Sequence, residues 1–410
     1  MGLTSDYKST EFGALPNEWQ VAAIRELQPF ITSGSRGWAE YYSESGDAFI
    51  RITNMDRDCI YLDLSDLKFV KLPEHETEGR RTQLQDGDVL ISITADIGIS
   101  GYVDQAVPLP AYINQHVALV RFDNEKQNSK YISYFLASEA AQKRFMQGTD
   151  TGAKAGMSLS GVANTLLVLP SREEQDAIAN ALSDVDELLA KLDQLIAKKS
   201  DIKKGAMQEL LTGKRRLEGF STPWSTQAFS DLAPRRTERI DPKSQGLSEY
   251  CIELEHLEPG SGQIVGHTST SVSSSLKTVF KPGDVLFGKL RAYLRKFALA
   301  ERLGVCSTEI WALVAKEGVI RPDFLFQTVM RDDFIENAST AYGTHMPRSD
   351  WGIVSKFEVA LPPLEEQKAI ADVLSDMDAD IKCLKEKRIK LADIKQGMMQ
   401  QLLTGKIRLV

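Results

Sequence analysis

Cysteine is scarce and scattered: Cys59, Cys251, Cys306 and Cys383 are the only four in 410 residues, with no CxxC and no paired spacing. That excludes a disulfide framework and predicts reduced, structural thiols. His256 and His267 lie near Cys251, but their spacing matches no common zinc site, so they are read as loop histidines and no metal is expected. No run of about 18 apolar residues occurs, and no charged-then-apolar N-terminus with a cleavage site, which predicts neither a membrane span nor a signal peptide and a cytoplasmic address. Also missing are an Asn/Asp-Pro-Pro-Tyr/Phe tetrapeptide, a GxGxxG after a strand, a GxxxxGK[ST] phosphate loop and an HExxH pair. The two Leu-Thr-Gly-Lys runs lack the leading glycine of a phosphate loop. No cofactor site and no catalysis by this chain alone are expected.

A basic domain is missing as well. The net charge of −8 divides into −7 for residues 1–168, 0 for 169–217, −2 for 218–360 and +1 for 361–410. Any contact with nucleic acid must therefore come from local patches or a more basic partner, since counterion release follows the phosphates contacted rather than net charge. What remains, 42% hydrophobic and 26% charged residues, is ordinary for globular protein with two or three cores.

The strongest positive signal is a repeat. Residues 169–217 and 361–409 align without a gap, 192 positions apart, with 27 identities in 49. In the first copy Ile178, Leu182, Val185, Leu189, Leu192 and Ile196 recur at steps of four and three, and Ile202 extends the stripe. In the second, Ile370, Leu374, Met377, Ile381, Leu384, Leu391 and Ile394 keep the phase, broken at Arg388. This is a coiled-coil seam on helices of about 38 residues, on the order of 57 Å at 1.5 Å per residue. Ser171 with Glu174 fits a capping box, Pro363 a first-turn position, and Thr212-Gly213 and Thr404-Gly405 the stops. Gly205 and Gly397 inside the pattern predict a bend or a close approach. One apolar seam needs a partner, and the nearest is the other copy. A parallel pair would crowd both intervening bodies at one end, so an antiparallel pseudo-two-fold pair is favoured.

The bodies ahead of each copy read as mixed α/β. Asp88–Thr94 and His116–Phe122 alternate like strands, and Tyr131 to Met146 reads as one amphipathic helix. Landmarks recur in the second body: Gln85-Asp-Gly-Asp-Val-Leu90 answers Lys281-Pro-Gly-Asp-Val-Leu286, Trp19 answers Trp224, and Val117-Ala-Leu-Val120 answers Trp311-Ala-Leu-Val314. The expected fold is α+β: two mixed α/β domains (1–168 and 218–360) separated by two long antiparallel coiled-coil helices (169–217 and 361–410).

With Tyr7-Lys-Ser-Thr-Glu-Phe-Gly-Ala-Leu-Pro-Asn-Glu-Trp19, the two Gly-Asp-Val-Leu turns, Ile113-Asn-Gln-His-Val117 and the repeated helix ending in Leu-Leu-Thr-Gly-Lys, the chain resembles the specificity subunit of type I restriction-modification enzymes over nearly its whole length. The resemblance implies a non-catalytic subunit whose two target-recognition domains each read half of a bipartite double-stranded DNA sequence. It further implies that the helices form an antiparallel spacer on which two methyltransferase subunits dock, with restriction subunits as an optional addition. S-adenosylmethionine would belong to the methyltransferase partner. The alternative is a coiled-coil scaffold for proteins without DNA binding, supported by the acidic domains.

Candidate DNA contacts follow from local cation density. Lys289-Leu-Arg-Ala-Tyr-Leu-Arg-Lys296 places Lys289, Arg291, Arg295 and Lys296, with Tyr293 between them, in eight residues near a Gly-containing turn, suited to phosphate contact or guanine reading; the alternative is a solvated loop. Thr344, His345 and Arg348 form a second candidate, which the first body answers with Lys154. Asn114 and Gln115, beside His116 at the mouth of a strand, suit adenine or equally cap a turn, and the resemblance favours scaffold there. Arg36 with Trp38, and Arg51 with Asn54, are alternative readers.

Overall fold

The structure, a computed structural model, describes residues 6–34, 36–73, 78–147, 156–242, 249–272, 275–340 and 346–409. It divides into two units, Met1–Asp193 with Lys387–Val410, and Gln194–Glu386. The sequence reading set each long helix apart as a spacer, whereas the two units cut both long helices near their middles.

In the first unit, Phe30–Ser33, Val117–Arg121, Val89–Ser92 and Ser100–Tyr102 form an antiparallel sheet, in that spatial order. A second sheet orders Ala111–Ile113, Asp47–Ile50, Lys68–Val70 and Tyr42–Ser43, and Gln20–Ala23 pairs with Leu166–Leu169. The second unit repeats the plan with Phe297–Leu299, Val285–Gly288 and Ile310–Leu313, a second sheet through Lys277–Phe280 and Gly304–Ser307, and the pair Ser225–Ala228 with Glu358–Leu361. Val89–Ser92 and Val285–Gly288 are buried at every residue. Central strands covered on both faces read as continuous apolar runs for this reason.

Pairing corrects one alignment by a residue. Val117 stands opposite Ser92, and Ile310 opposite the corresponding Gly288, so Val117-Ala-Leu-Val120 is answered by Ile310-Trp-Ala-Leu313 and not by Trp311–Val314. Because side chains alternate with period two, that shift exchanges the faces of every residue on the strand. The single helix expected over Tyr131 to Met146 is two, Ser129–Ala137 and Glu139–Gln147. Ser138 between them is extended, and its hydroxyl accepts the N–H of Ala141, the local bonding by which serine competes with helix continuation.

The long helices run Arg172–Leu210 and Leu364–Leu402. Leu364 is the first helical residue, so Pro363 stands just before the helix, its carbonyl accepting from Gln367 N, rather than in the first turn. Gly213 and Gly405, at positive φ (72° and 65°), follow their ends. In the first unit Asp193 pairs with Arg388 and Asp186 with Lys395; in the second Lys199 pairs with Asp380 and Lys203 with Asp378. Numbers rising on one helix fall on the other, so the segments are antiparallel within each unit. Asp186 and Asp378 are repeat equivalents, as are Lys203 and Lys395. Each aspartate meets the other copy's lysine, so each unit carries the same ion pair.

The seam is buried unevenly. Ile178, Leu182, Ile370 and Leu374 are fully buried, but in the cores of the two bodies, whereas Val185, Leu189, Leu192, Ile196, Met377, Ile381, Leu384 and Leu391 are half-buried. The expected continuation through Ile202 and Ile394 fails: these equivalents are 52% and 55% exposed. Their neighbours Lys203 and Lys395 are buried instead, turning inward to the aspartates. Ser171 does cap, accepting the N–H of Glu174 at 3.2 Å, but the Glu174 carboxylate is bound by Trp19 and Arg408, so the reciprocal half of the capping box is not made.

Gly205 and Gly397 lie inside continuous helix, and a Cβ at either would meet nothing within 4 Å. The expected close approach is absent among the described residues. Alanine at either position is expected to stabilise the chain by roughly 0.5–1 kcal/mol, read as a rise in the urea midpoint.

Candidate nucleic-acid interface

Both units build the same turn after the buried central strand. The preceding aspartate is buried and accepts a backbone N–H from three residues upstream, Gln85 to Asp88 at 2.7 Å and Lys281 to Asp284 at 2.8 Å. A paired arginine completes each site: Arg121 donates Nε and Nη2 to Asp88 at 2.7 Å each, and Arg236 donates Nη2 to Asp284 at 2.9 Å. Burial pushes the Asp88 carboxyl up against the opposing effect of Arg121. Three residues past the strand's end stands a left-handed residue, Ala95 (φ 66°) in one unit and Arg291 (φ 53°) in the other. Non-glycine residues occupy that region at a cost, and such strain concentrates at functional turns. A distant segment is pinned across each turn: Met157 N donates to Ile93 O, and Ser349 N donates to Lys289 O, both at 2.8 Å.

On this common backbone the side chains differ completely. In the second unit Lys289, Arg235, Arg348, Trp311 and Trp351 line a concavity of about 430 Å³ together with Ser349 and Asp350. The corresponding positions in the first unit, taken from the strand and bridge registers, are Ile93, Ile31, Gly156, Ala118 and Leu159. Arg235 lies over Trp351 at 4.4 Å and Trp311 at 5.5 Å, and the two indoles meet edge to face at 5.2 Å. Arg348 Nε donates to Glu309 at 2.9 Å. A larger cavity of about 850 Å³ in the same unit is lined by cations held to carboxylates, Lys203 to Asp378, Arg295 to Asp332 and Arg331 to Asp333. Lys214, Lys382 and Lys385 also line it, so both cavities are cationic, and the smaller is set apart by an arginine stacked on two indoles.

Residues 16–202 and 268–392 match the family described as the type I restriction modification DNA specificity domain. The chain belongs to that family. It is 24% identical over 98% of its length to the MjaX type I restriction enzyme specificity subunit of Methanocaldococcus jannaschii, covering 97% of that protein. It is 25% identical over 60% of its length to the MjaVIII specificity subunit of the same organism, of which it covers 63%. In fold it is similar to the type I restriction-modification S subunit from M. genitalium, at TM-score 0.56 and 14% identity over 98% of both chains. A chain from a structure describing complex assembly and conformational transition of the type I R-M system has the same TM-score and identity, over 96% of this chain and 99% of that one. The chain is thus a type I specificity subunit with DNA-recognition domains, a non-catalytic member of a restriction-modification system, and the α+β fold with its internal repeat is that of its structural neighbours.

Within this specificity subunit, the candidate contacts separate into two groups. Lys289 and Arg348 come together in the concavity, and Tyr293 is exposed at 54%. Arg291 gives its N–H to Pro347 O at 2.8 Å and shapes the turn. Arg295, in contrast, is paired with Asp332, and Lys296 donates Nζ to Leu254 O at 2.6 Å, so both stabilise their own unit. In the first unit Arg36 is exposed, while Arg51 is tied to Asp66 at 3.1 Å. Asn54 is buried and bonds backbone on both sides, and Trp38 is buried against Phe49 and Tyr112, so neither is available as a reader. Asn114 accepts the N–H of His116 at 3.2 Å, the turn-capping alternative, and Gln115 lies 3.1 Å from the His116 ring. Thr344, His345 and Lys154 lie outside the described residues.

Sequence reasoning missed Arg235, Trp311 and Trp351. The signal for Arg235 was available in the dipeptide Arg235-Arg236: on an extended segment neighbours face opposite ways, so one arginine goes inward and the other must go out. Arg236 takes the buried aspartate, and Arg235 takes the indoles. Among the described residues His256 Nδ1 accepts the N–H of Glu253 at 3.0 Å, and His267 packs on the ring of Tyr250, structural roles for both.

Proposed function

We propose that the domains 1–168 and 218–360 each read one half of a bipartite double-stranded DNA target, and that the repeated helices 169–217 and 361–410 dock two methyltransferase subunits in the cytoplasm, an assembly to which restriction subunits are an optional addition. S-adenosylmethionine is held by the methyltransferase and supplies its methyl group; this chain supplies position. One observation carries the reading: equivalent turns with equivalent backbone bonds carry Lys289, Arg235 and Arg348 in one unit and Ile93, Ile31 and Gly156 in the other. A shared scaffold with unrelated surface chemistry suits two different sequences. Near-identical helices, by contrast, suit two copies of one partner.

The test is DNA binding by the chain assembled with methyltransferase. Footprinting should show two separated protected stretches, and exchanging 218–360 for the segment of another specificity subunit should change only one of them. Affinity should fall steeply with salt, by about 10³–10⁵ between roughly 50 and 200 mM for some 6–10 phosphate contacts. A single uninterrupted footprint would remove the bipartite reading. Salt-independent or absent binding would favour the protein-scaffold alternative, which the acidic domains otherwise support.

A further inference from the structure

We propose that Arg235 reads a guanine in the half-site recognised by the second unit. The inference rests on the DNA-recognition reading above and assigns a residue to it. Five other arginines of this domain are held by carboxylates, Arg236 by Asp284, Arg295 by Asp332, Arg321 by Asp323, Arg331 by Asp333 and Arg348 by Glu309, and Arg302, stacked on Tyr250, is not among the residues lining the concavity. Arg235 is different. Among the described residues its guanidinium has no carboxylate and no hydrogen-bond acceptor; what it has is the face of Trp351 at 4.4 Å and of Trp311 at 5.5 Å. Stacking fixes the plane of the fork while leaving its N–H edge open, and that edge matches the O6 and N7 acceptors of guanine in the major groove.

The surroundings favour an anionic duplex over a protein carboxylate. Lys289 and Arg348 line the same concavity, and Lys289, unlike Arg348, has no ion pair among the described residues. A free lysine beside a stacked arginine supplies a phosphate contact next to a base reader, the usual division between positioning and specificity. Desolvation against the rings, followed by the charge of nearby Arg239, lowers the affinity of Arg235 for its proton relative to a free side chain. A guanidinium remains charged despite this.

The experiment selects duplexes from a randomised pool with the chain assembled with methyltransferase, comparing wild type, R235A and R235K. Wild type should yield two half-site motifs. R235A should lose preference for guanine at one position of one motif by about 10- to 100-fold and leave the other motif unchanged. R235K should fail to restore it, since lysine keeps the charge and lacks the fork. Replacing that guanine by 7-deazaguanine should weaken wild-type binding, an arm that needs no variant and is indifferent to folding. Rescue by R235K, uniform weakening across all sequences, or indifference to 7-deazaguanine at every guanine of that half-site would each overturn the assignment and mark Arg235 as a phosphate contact or a structural stack. A wild-type pool without two motifs would instead overturn the DNA reading itself.

Discussion

Replacing Arg408 with methionine is expected to cost about 3–5 kcal/mol, which would remove a large part of the stability of the first unit. Glu174 is completely buried, and its carboxylate receives the Trp19 indole at 3.0 Å and Arg408 through Nε at 2.6 Å and Nη2 at 2.8 Å. Without the guanidinium a buried charge keeps one neutral donor. The bond from Arg408 to Glu18 contributes little, because that carboxylate is well exposed. Pairing the change with Glu174→Leu should recover most of the loss, because both charges then leave together. Urea unfolding of the single and double variants measures it, and equal midpoints for wild type and Arg408→Met would rule out the argument. In the second unit Glu366, also fully buried, is held by Trp224 at 2.9 Å and by Arg216 Nη2 at 2.6 Å. Arg216→Met should therefore behave alike, whereas charge removal at the exposed pair Lys191 and Glu187 should be nearly silent.

These two carboxylates show what was legible and what was not. The repeat placed Glu174 opposite Glu366 and Trp19 opposite Trp224 without coordinates, but that the tryptophan holds the glutamate was invisible, because 155 positions separate the first pair and 142 the second. Helix ends at Gly213 and Gly405 were readable because the left-handed stop is a local property of the chain. The antiparallel sense also came from local information, since one seam and one repeat leave few partners. What failed was everything that depends on a competitor elsewhere. Ile202 and Ile394 fit the apolar period, yet Lys203 and Lys395 take the inward place because aspartates 175 and 209 positions away receive them. The cation run at Lys289–Lys296 looked uniform, and only the fold reveals that Asp332 and the carbonyl of Leu254 claim two of its four charges. Arg235, Lys289, Arg348 and Trp351 meet from three distant stretches, so their concavity has no sequence pattern at all.

Leu374→Asp is the second large effect, expected to exceed about 4 kcal/mol and to unfold the second unit. Leu374 is fully buried among Phe324, Leu325, Ile370 and the ends of the neighbouring strands in that unit's core. A carboxylate there has no cation to meet, and the new polar atoms would displace tight apolar packing. Leu182→Asp should do the same to the first unit, where Leu182 packs in the other core with Leu402 and Leu403. The seam residues that period alone ranks equally should not: Leu189→Asp and Ile381→Asp alter half-buried positions where water can reach the charge, and a loss of about 1–2 kcal/mol is expected. Hydrogen exchange separates the cases. Leu374→Asp should strip protection from the strands Val285–Gly288 and Ile310–Leu313 while Val89–Ser92 and Val117–Arg121 retain it, and Leu182→Asp should reverse that pattern. Simultaneous loss in both sheets would mean that the shared helices couple the two cores into one cooperative system.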